Sequence, residues 1–259
     1  MASSDDALVL RADSHGVCTL TLNRPTARNA LSAAMIAALS ELLDQIADDD
    51  SVRVVVLAAN GPAFCAGHDL KELRSLDAAA TEKLFLDCST MMMQLVRLPQ
   101  PVIAKVHGIA TAAGCQLVAT ADLAVAAKSA AFATPGVNIG LFCTTPSVAV
   151  GRAVPRKTAM EMLLTGEPIT AARAEAAGLI NSAVPDHELD GTVDALAKLI
   201  ASKSAHILAI GKKAFYAQIE QPMADSYVYA SAVMAQNMLE SDCTEGIAAF
   251  IEKRAPEWG

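Results

Sequence analysis

The sequence predicts an α/β fold, and three observations carry that expectation. Short, β-rich apolar runs alternate with segments of helical periodicity, the order expected of parallel strands joined by crossover helices. From about residue 186 the pattern turns wholly helical, which divides the chain near residue 190 into a mixed core, 1–190, and a helical region, 191–259. The 259 residues, 53% of them hydrophobic and 19% charged, suffice to bury one substantial core.

The elements follow in order. ALVLRAD and GVCTLTLN read as two strands joined by the hairpin signal DSHG. LSAAMIAALSELLDQIADDD then places Leu31, Met35, Leu39, Leu42, Leu43 and Ile46 on one helical face. VRVVVLAA is a buried-type strand closed by the turn NGP. A helix over about 79–97 follows, stopped by PQP, with MMM at 91–93 read as a core face rather than a soft binding surface. PVIAKVH is another buried strand, and DLAVAAKSAAF holds one or two more. VDALAKLIASK, AHILAIGKKAFYAQI, an Ala/Met-rich stretch and EGIAAFIEKR complete the chain as helices.

Composition narrows the function. A net charge of −8 with scattered lysines and arginines excludes a phosphate-tracking surface, so no nucleic-acid partner is expected. Six cysteines without CxxC spacing read as reduced thiols. The acidic start MASSDDALVLRAD lacks the basic and apolar regions of a secretory signal, and no apolar run is long enough to span a bilayer. A cytoplasmic protein with no membrane partner is the expectation. GxGxxG after a strand, the Walker loop, HExxH and GxSxG are all absent, and the isolated histidines lack metal-ligand spacing.

Two segments are built for close backbone approach. GPAFCAGHDLKEL, 61–73, turns through Ala66-Gly67, with Asp69 placed to cap a short helix. GIATAAGCQL is a strand–glycine–helix entry whose one large polar side chain is Gln116. Each leaves backbone N–H groups free at a helix start, and together they suggest a two-donor oxyanion hole.

These segments, with NRPTARNAL at 23–31, VVVLAANGPAFCAGHDLKEL at 54–73 and PVIAKVHGIATAAGCQLVATADLAVA at 101–126, resemble the enoyl-CoA hydratase/isomerase (crotonase) superfamily. FATPGVNIGL, AMEMLLTGEPITAARAEAAGLINSAVP and AFIEKRAPEW extend the likeness over nearly the whole chain. The run FATPGVNIGLFCTTPSVAVGRAVPRK also resembles one particular subgroup of it. The resemblance implies a crotonase (ClpP-like) spiral of ββα turns with a helical C-terminal trimerisation region, a homotrimer or dimer of trimers, and an acyl-CoA thioester as substrate or ligand with no tightly bound cofactor. Its two oxyanion donors fall on the N–H groups of His68 and Ala113, with Gly114 beside the second. Nucleotide contacts fall on Arg28, Ala66, Lys71, Phe250 and Lys253, the last reaching a neighbouring subunit's ligand.

The two acids of active hydratases do not carry over: one position is Gln116 and the other Gly136. An amide cannot exchange a proton near neutrality and glycine supplies no side chain. Replacements are not evident. Asp69 reads as a cap, Glu72 as solvent-facing, Asp122 as a strand-entry residue, and Cys115 and Cys143 as buried, inert thiols. The nucleophilic Asp of related dehalogenases falls on Phe142. His68 either fills a wall beside the AG turn or marks a likeness to methylmalonyl-CoA decarboxylases, whose tyrosine falls near Cys143. The readings are therefore an acyl-CoA enzyme of enolate chemistry, a non-catalytic acyl-CoA binder, or a slow hydratase in which Gln116 orients water. On the last, Gln116→Glu with Gly136→Glu should raise hydration.

Overall fold

The computed structural model describes residues 7–259. β1 (Val9–Ser14) and β2 (Val17–Leu22) form the expected antiparallel hairpin, turned by His15 and Gly16 at positive φ. α1 (Ala33–Ala47) starts at Ser32, whose hydroxyl accepts the Met35 N–H, and it buries Met35, Ile36, Leu39, Leu43 and Ile46. β3 (Val54–Ala59) leads to the short β4 (Ala63–Cys65) and α2 (Leu70–Leu73). α3 (Ala78–Arg97) ends at the proline pair around Gln100. β5 (Val102–Val106), β6 (Ile109–Thr111) and α4 (Ala113–Thr120) follow, then β7 (Leu123–Ala127) and β8 (Ala131–Ala133).

Beyond these lie α5 (Thr144–Ala153), α6 (Arg156–Thr165), β9 (Ile169–Thr170), α7 (Ala171–Ala177) and β10 (Ser182–Val184). Four helices close the chain: α8 (Leu189–Ala201), α9 (Ala205–Gln218), α10 (Met223–Asn237) and α11 (Ser241–Glu252).

Two sheets result, in the orders β1-β2-β3-β5-β7-β10 and β4-β6-β8-β9. From β2 to β10 the larger sheet is parallel, as the alternating pattern requires. The unbroken apolar run of β3 is explained by burial on both faces. Val55 and Leu57 join the main core with α1 and α3, whereas Val54 and Val56 pack with Ile103 and Val125 against Leu189, Val193 and Ala197 of α8. Among the described residues no helix is long and apolar enough to cross a membrane.

A buried polar cluster fastens α9 to this frame. Lys212 Nζ donates to the carbonyls of Leu95 and Gln100, 3.0 Å each, and pairs with Asp122 at 2.7 Å. Asp122 also accepts the Tyr216 hydroxyl at 2.8 Å and the Val102 N–H at 2.7 Å, so it holds the strand entry as expected. Burial pushes the Lys212 ammonium below its ordinary pKa, opposed by Asp122, and burial beside that carboxylate raises the Tyr216 phenol.

Candidate active site

The first turn is held by the segment NRPTARNAL. Asn29 is fully buried, and its side chain accepts the Arg24 N–H at 2.8 Å while donating to the carbonyls of Asn60, 2.8 Å, and Ala63, 2.9 Å. The same segment grips the AG turn through its backbone: Ala66 N–H donates to Arg28, Leu31 N–H to Gly67, and Asp69 N–H to Leu31. Gly67, at φ 86, makes the reversal that side chains disfavour. Asp69 caps α2, accepting the N–H groups of Lys71 and Glu72, and pairs with Arg24 at 2.8 Å. Glu72, partly exposed as expected, also accepts the Ala33 N–H at 3.0 Å, tying α2 to the start of α1.

The second turn joins β6 to α4. Ala112, not a glycine, makes it, with φ 50 and ψ −117. An L-residue in that region is strained by about 1–3 kcal/mol. Gly114 serves instead for packing, since a Cβ there would lie 2.8 Å from the carbonyl carbon of Cys65. The two turns touch: a Cβ on Gly67 would meet that of Ala112 at 2.9 Å and the Ala113 nitrogen at 3.4 Å. Among the described residues neither the His68 N–H nor the Ala113 N–H donates to a protein acceptor. Adjacent free donors of this kind can hold an oxygen that gains negative charge.

Gln116 follows Ala113 by three residues on α4. It is 4% exposed, its side-chain oxygen is buried, and among the described residues its amide has no hydrogen-bond partner. Gly136 lies in a 3-10 turn whose fold leaves no room for a side chain. A Cβ there would overlap the Leu141 carbonyl oxygen and lie 2.9 Å from Cys143 Sγ. That loop is fastened by Leu141 N–H donating to the Gly136 carbonyl, 2.9 Å, and Gly136 N–H donating to Cys143 Sγ, 3.3 Å. Burial pushes the Cys115 thiol up to about 12 and raises that of Cys143, so both are protonated thiols as expected.

Two neighbouring hollows flank these groups. A groove of about 670 Å³ is lined by Leu76, Thr81, Phe85, Leu86, Ser89 and Thr145, with the carboxylates Asp77 and Glu82 at its rim. A cavity of about 520 Å³ shares Ser89 and Thr145 with it and is lined by Gln116, Met92, Met93, Val96, Ala119 and Val148, among others. Phe85 packs edge-on against His68, ring centroids 5.1 Å apart, which links the groove to the first turn. The His68 ring is largely buried and its Nδ1 lies 3.4 Å from the Leu31 carbonyl, so desolvation holds its pKa below the usual value. The ring lines neither hollow. Arg152 and Glu220 form an exposed ion pair at the far side of the cavity, 2.8 Å apart.

The cavity lining comes from α3, α4, α5 and the C-terminal end of α9 with the turn after it. Thr145 stands in the first turn of α5, and Met92 and Met93 correct the expectation that MMM is only core. Met91 alone is wholly committed to packing, while its two successors line the cavity. The spacing of Ser89, Met92, Met93 and Val96 was the available signal, one face of α3. Tyr216 comes from α9 and Glu220 from the turn after it, contacts no local pattern announces. Of the expected nucleotide contacts, Arg28 and Lys71 are exposed beside the first turn, and Ala66 is half-buried within it. Phe250, 85% exposed, lines a different hollow of about 420 Å³ between α9 and α11, and Lys253 ends α11 in a left-handed conformation. Within one chain neither lines the hollows around the two turns.

This combination of spiral sheets and paired turns has known counterparts. The enoyl-CoA hydratase/isomerase family model matches residues 12–259, and the chain belongs to that family. It is 46% identical over 256 residues to the mitochondrial enoyl-CoA hydratase domain-containing protein 3 of Rattus norvegicus, covering 98% of this chain and 85% of the relative. Its fold is that of the human protein of the same name, with TM-score 0.95 and 45% identity over 97% of this chain and 100% of the other. An enoyl-CoA hydratase structure from Mycobacterium smegmatis superposes with TM-score 0.96 at 53% identity, covering 98% and 99% of the two chains. The crotonase fold and the subgroup suggested by FATPGVNIGLFCTTPSVAVGRAVPRK both follow.

Proposed function

We propose that this chain binds acyl-CoA thioesters with the thioester oxygen between the His68 and Ala113 N–H groups, and that it supports enolate chemistry other than efficient hydration. One observation carries the reading. Two turns with free donors pack on each other, while an amide, Gln116, and a closed loop, Gly136, stand where the family resemblance puts the acids. Each positioned acid or base contributes about 10²–10⁴ in rate, so hydration loses both contributions. A donor pair alone still contributes about 10²–10³ per donor to a reaction through an enolate. Arg28, Ala66 and Lys71 flank the first turn and meet the nucleotide, while Phe250 and Lys253 approach the ligand of a neighbouring copy.

A decarboxylase-like reaction on malonyl-type thioesters is the second reading. It is favoured by the neutral lining at Gln116, since breaking the carbon–carbon bond releases CO₂ and leaves the electron pair on the enolate without a general base. Assembly follows from exposed apolar side chains of the C-terminal region: Tyr227, Val228 and Met234 on α10, Leu239 in the turn after it and Ile251 on α11 are each more than 70% exposed. A homotrimer or dimer of trimers, built by the 191–259 region, covers them. Six free thiols suit a reducing compartment such as the cytoplasm.

The test is a panel of CoA thioesters, enoyl, malonyl-type and saturated, measured by calorimetry for binding and by mass spectrometry for product. Binding without appreciable hydration is expected, with or without decarboxylation. Failure of every thioester to bind, or rapid enoyl-CoA hydration, overturns the reading.

A further inference from the structure

The 520 Å³ cavity has two ends, and the helices that wall it lead from one to the other. At the near end Ser89 and Thr145 belong also to the groove whose Phe85 packs on His68. From there Ser89 to Val96 on α3 and Thr145 to Arg152 on α5 each advance about 10 Å along their helices. On α4 the distance from Ala113 to the lining residue Thr120 is again about 10 Å. The lining between the ends is chiefly apolar, from Met92, Met93, Ala119 and Val148. The far end is closed differently, by two charges.

Arg152 Nε donates to Glu220 Oε1 at 2.8 Å and Nη2 to Oε2 at 3.5 Å, while Nη1 donates to the Val148 carbonyl at 3.0 Å. The pair joins two walls, since Arg152 belongs to α5 and Glu220 to the turn after α9. Neither wall has to move for the pair to part. Arg152 stands within α5, and Glu220 follows Tyr216, whose hydroxyl is fixed to Asp122, by one helical turn. Only two side chains bar the end, and exposed side chains rotate within nanoseconds. They are 61% and 58% exposed, so the cavity meets solvent here. Ion pairs so placed are weak and are screened by salt.

We propose that the Arg152–Glu220 pair is a side-chain gate at the far end of the cavity, and that it sets an upper limit on acyl-chain length. This rests on the thioester binding proposed above and identifies what bounds its range of ligands. An extended chain advances about 1.3 Å per carbon, so about 10 Å of wall takes about eight carbons. Each methylene buried up to that length raises affinity, by as much as about fourfold. Further carbons must part the two charges and then leave the cavity for water. They lose the attraction of the pair and gain no burial in return. Affinity therefore peaks near eight carbons.

The test measures butanoyl-, octanoyl- and dodecanoyl-CoA by calorimetry on the intact chain, below the micellar concentration of the longest. Octanoyl-CoA should bind more tightly than butanoyl-CoA, and dodecanoyl-CoA about 2- to 5-fold more weakly than octanoyl-CoA. Glu220→Gln keeps the size and removes the charge, and should abolish the dodecanoyl penalty. Raised sodium chloride should reduce that penalty in the wild type and leave the Glu220→Gln ratio where it is. A ratio of two thioesters cancels the effect of salt on the CoA phosphates they share. Arg152→Glu alone should also remove the penalty, and Arg152→Glu with Glu220→Arg should restore it. Restoration by charge reversal is a result that loosening of the fold does not produce. Dodecanoyl-CoA binding to the wild type as tightly as octanoyl-CoA overturns the gate alone. A penalty unchanged in Glu220→Gln also overturns it. If no thioester binds, the binding proposal falls and the gate with it.

Discussion

Placing an acid at position 136 should damage the protein without producing hydration. In Gly136→Glu the new Cβ overlaps the Leu141 carbonyl oxygen and lies 2.9 Å from Cys143 Sγ and 3.1 Å from the Leu141 carbonyl carbon. Relief requires the 136–143 loop to move by roughly an ångström, which breaks the hydrogen bond from Leu141 N–H to the Gly136 carbonyl. Overpacking typically costs about 1–3 kcal/mol, and the lost hydrogen bond about 1 more. The sum, about 2–4 kcal/mol, corresponds to a melting-temperature fall of about 4–16 °C for a chain of this size. Scanning calorimetry measures it, and Gly136→Ala isolates the contribution of the Cβ. Crotonyl-CoA hydration by Gln116→Glu/Gly136→Glu should not exceed that by Gln116→Glu alone. This reverses the expectation raised by residue types alone. A double variant that melts within about 2 °C of the wild type and hydrates faster than the single one would refute the steric reasoning.

Three further outcomes are expected. Asn29→Ala removes three hydrogen bonds at a fully buried site and should lower the unfolding free energy in urea by about 2–4 kcal/mol, with loss of thioester binding as the AG turn loosens. Lys212→Ala leaves Asp122 without its cation, and breaking a buried pair costs about 3–5 kcal/mol; hydrogen exchange should show α9 opening first. His68 has a folded pKa depressed by burial, so the unfolded chain takes up its proton first as pH falls. Its stabilising contribution is complete above the unfolded value of about 6.5 and is lost as pH drops toward the folded one. The urea midpoint of His68→Gln should therefore fall less than that of the wild type between pH 7 and pH 5.

Strong local periodicity made much of the fold legible. The hairpin, α1, β3, α3 and β5 each carry enough residues to declare a period, and their apolar faces are the buried ones. The strands β4, β6 and β9 have two or three residues each, too few for any alternation to register. Their pairing depends on partners far along the chain. At the site, residue type revealed that Gln116 and Gly136 cannot move protons, but not that Leu141 closes the space beside Gly136. Closure is a relation between two backbones five residues apart, and sequence names only side chains. For the same reason GIATAAGCQL reads as a turn made by glycine, whereas Ala112 bends and Gly114 packs.

The bend at Ala112 also bears on how such a protein diversifies. Its strain fixes the direction of a main-chain N–H, an atom that every residue except proline carries. Substitution at a position such as Gln116 changes a side chain and leaves such backbone donors where they are. Recognition inscribed in the peptide backbone is thus inherited separately from reactivity, which resides in replaceable side chains. A lineage built on this scaffold can exchange its chemistry while keeping its grip on the same class of ligand.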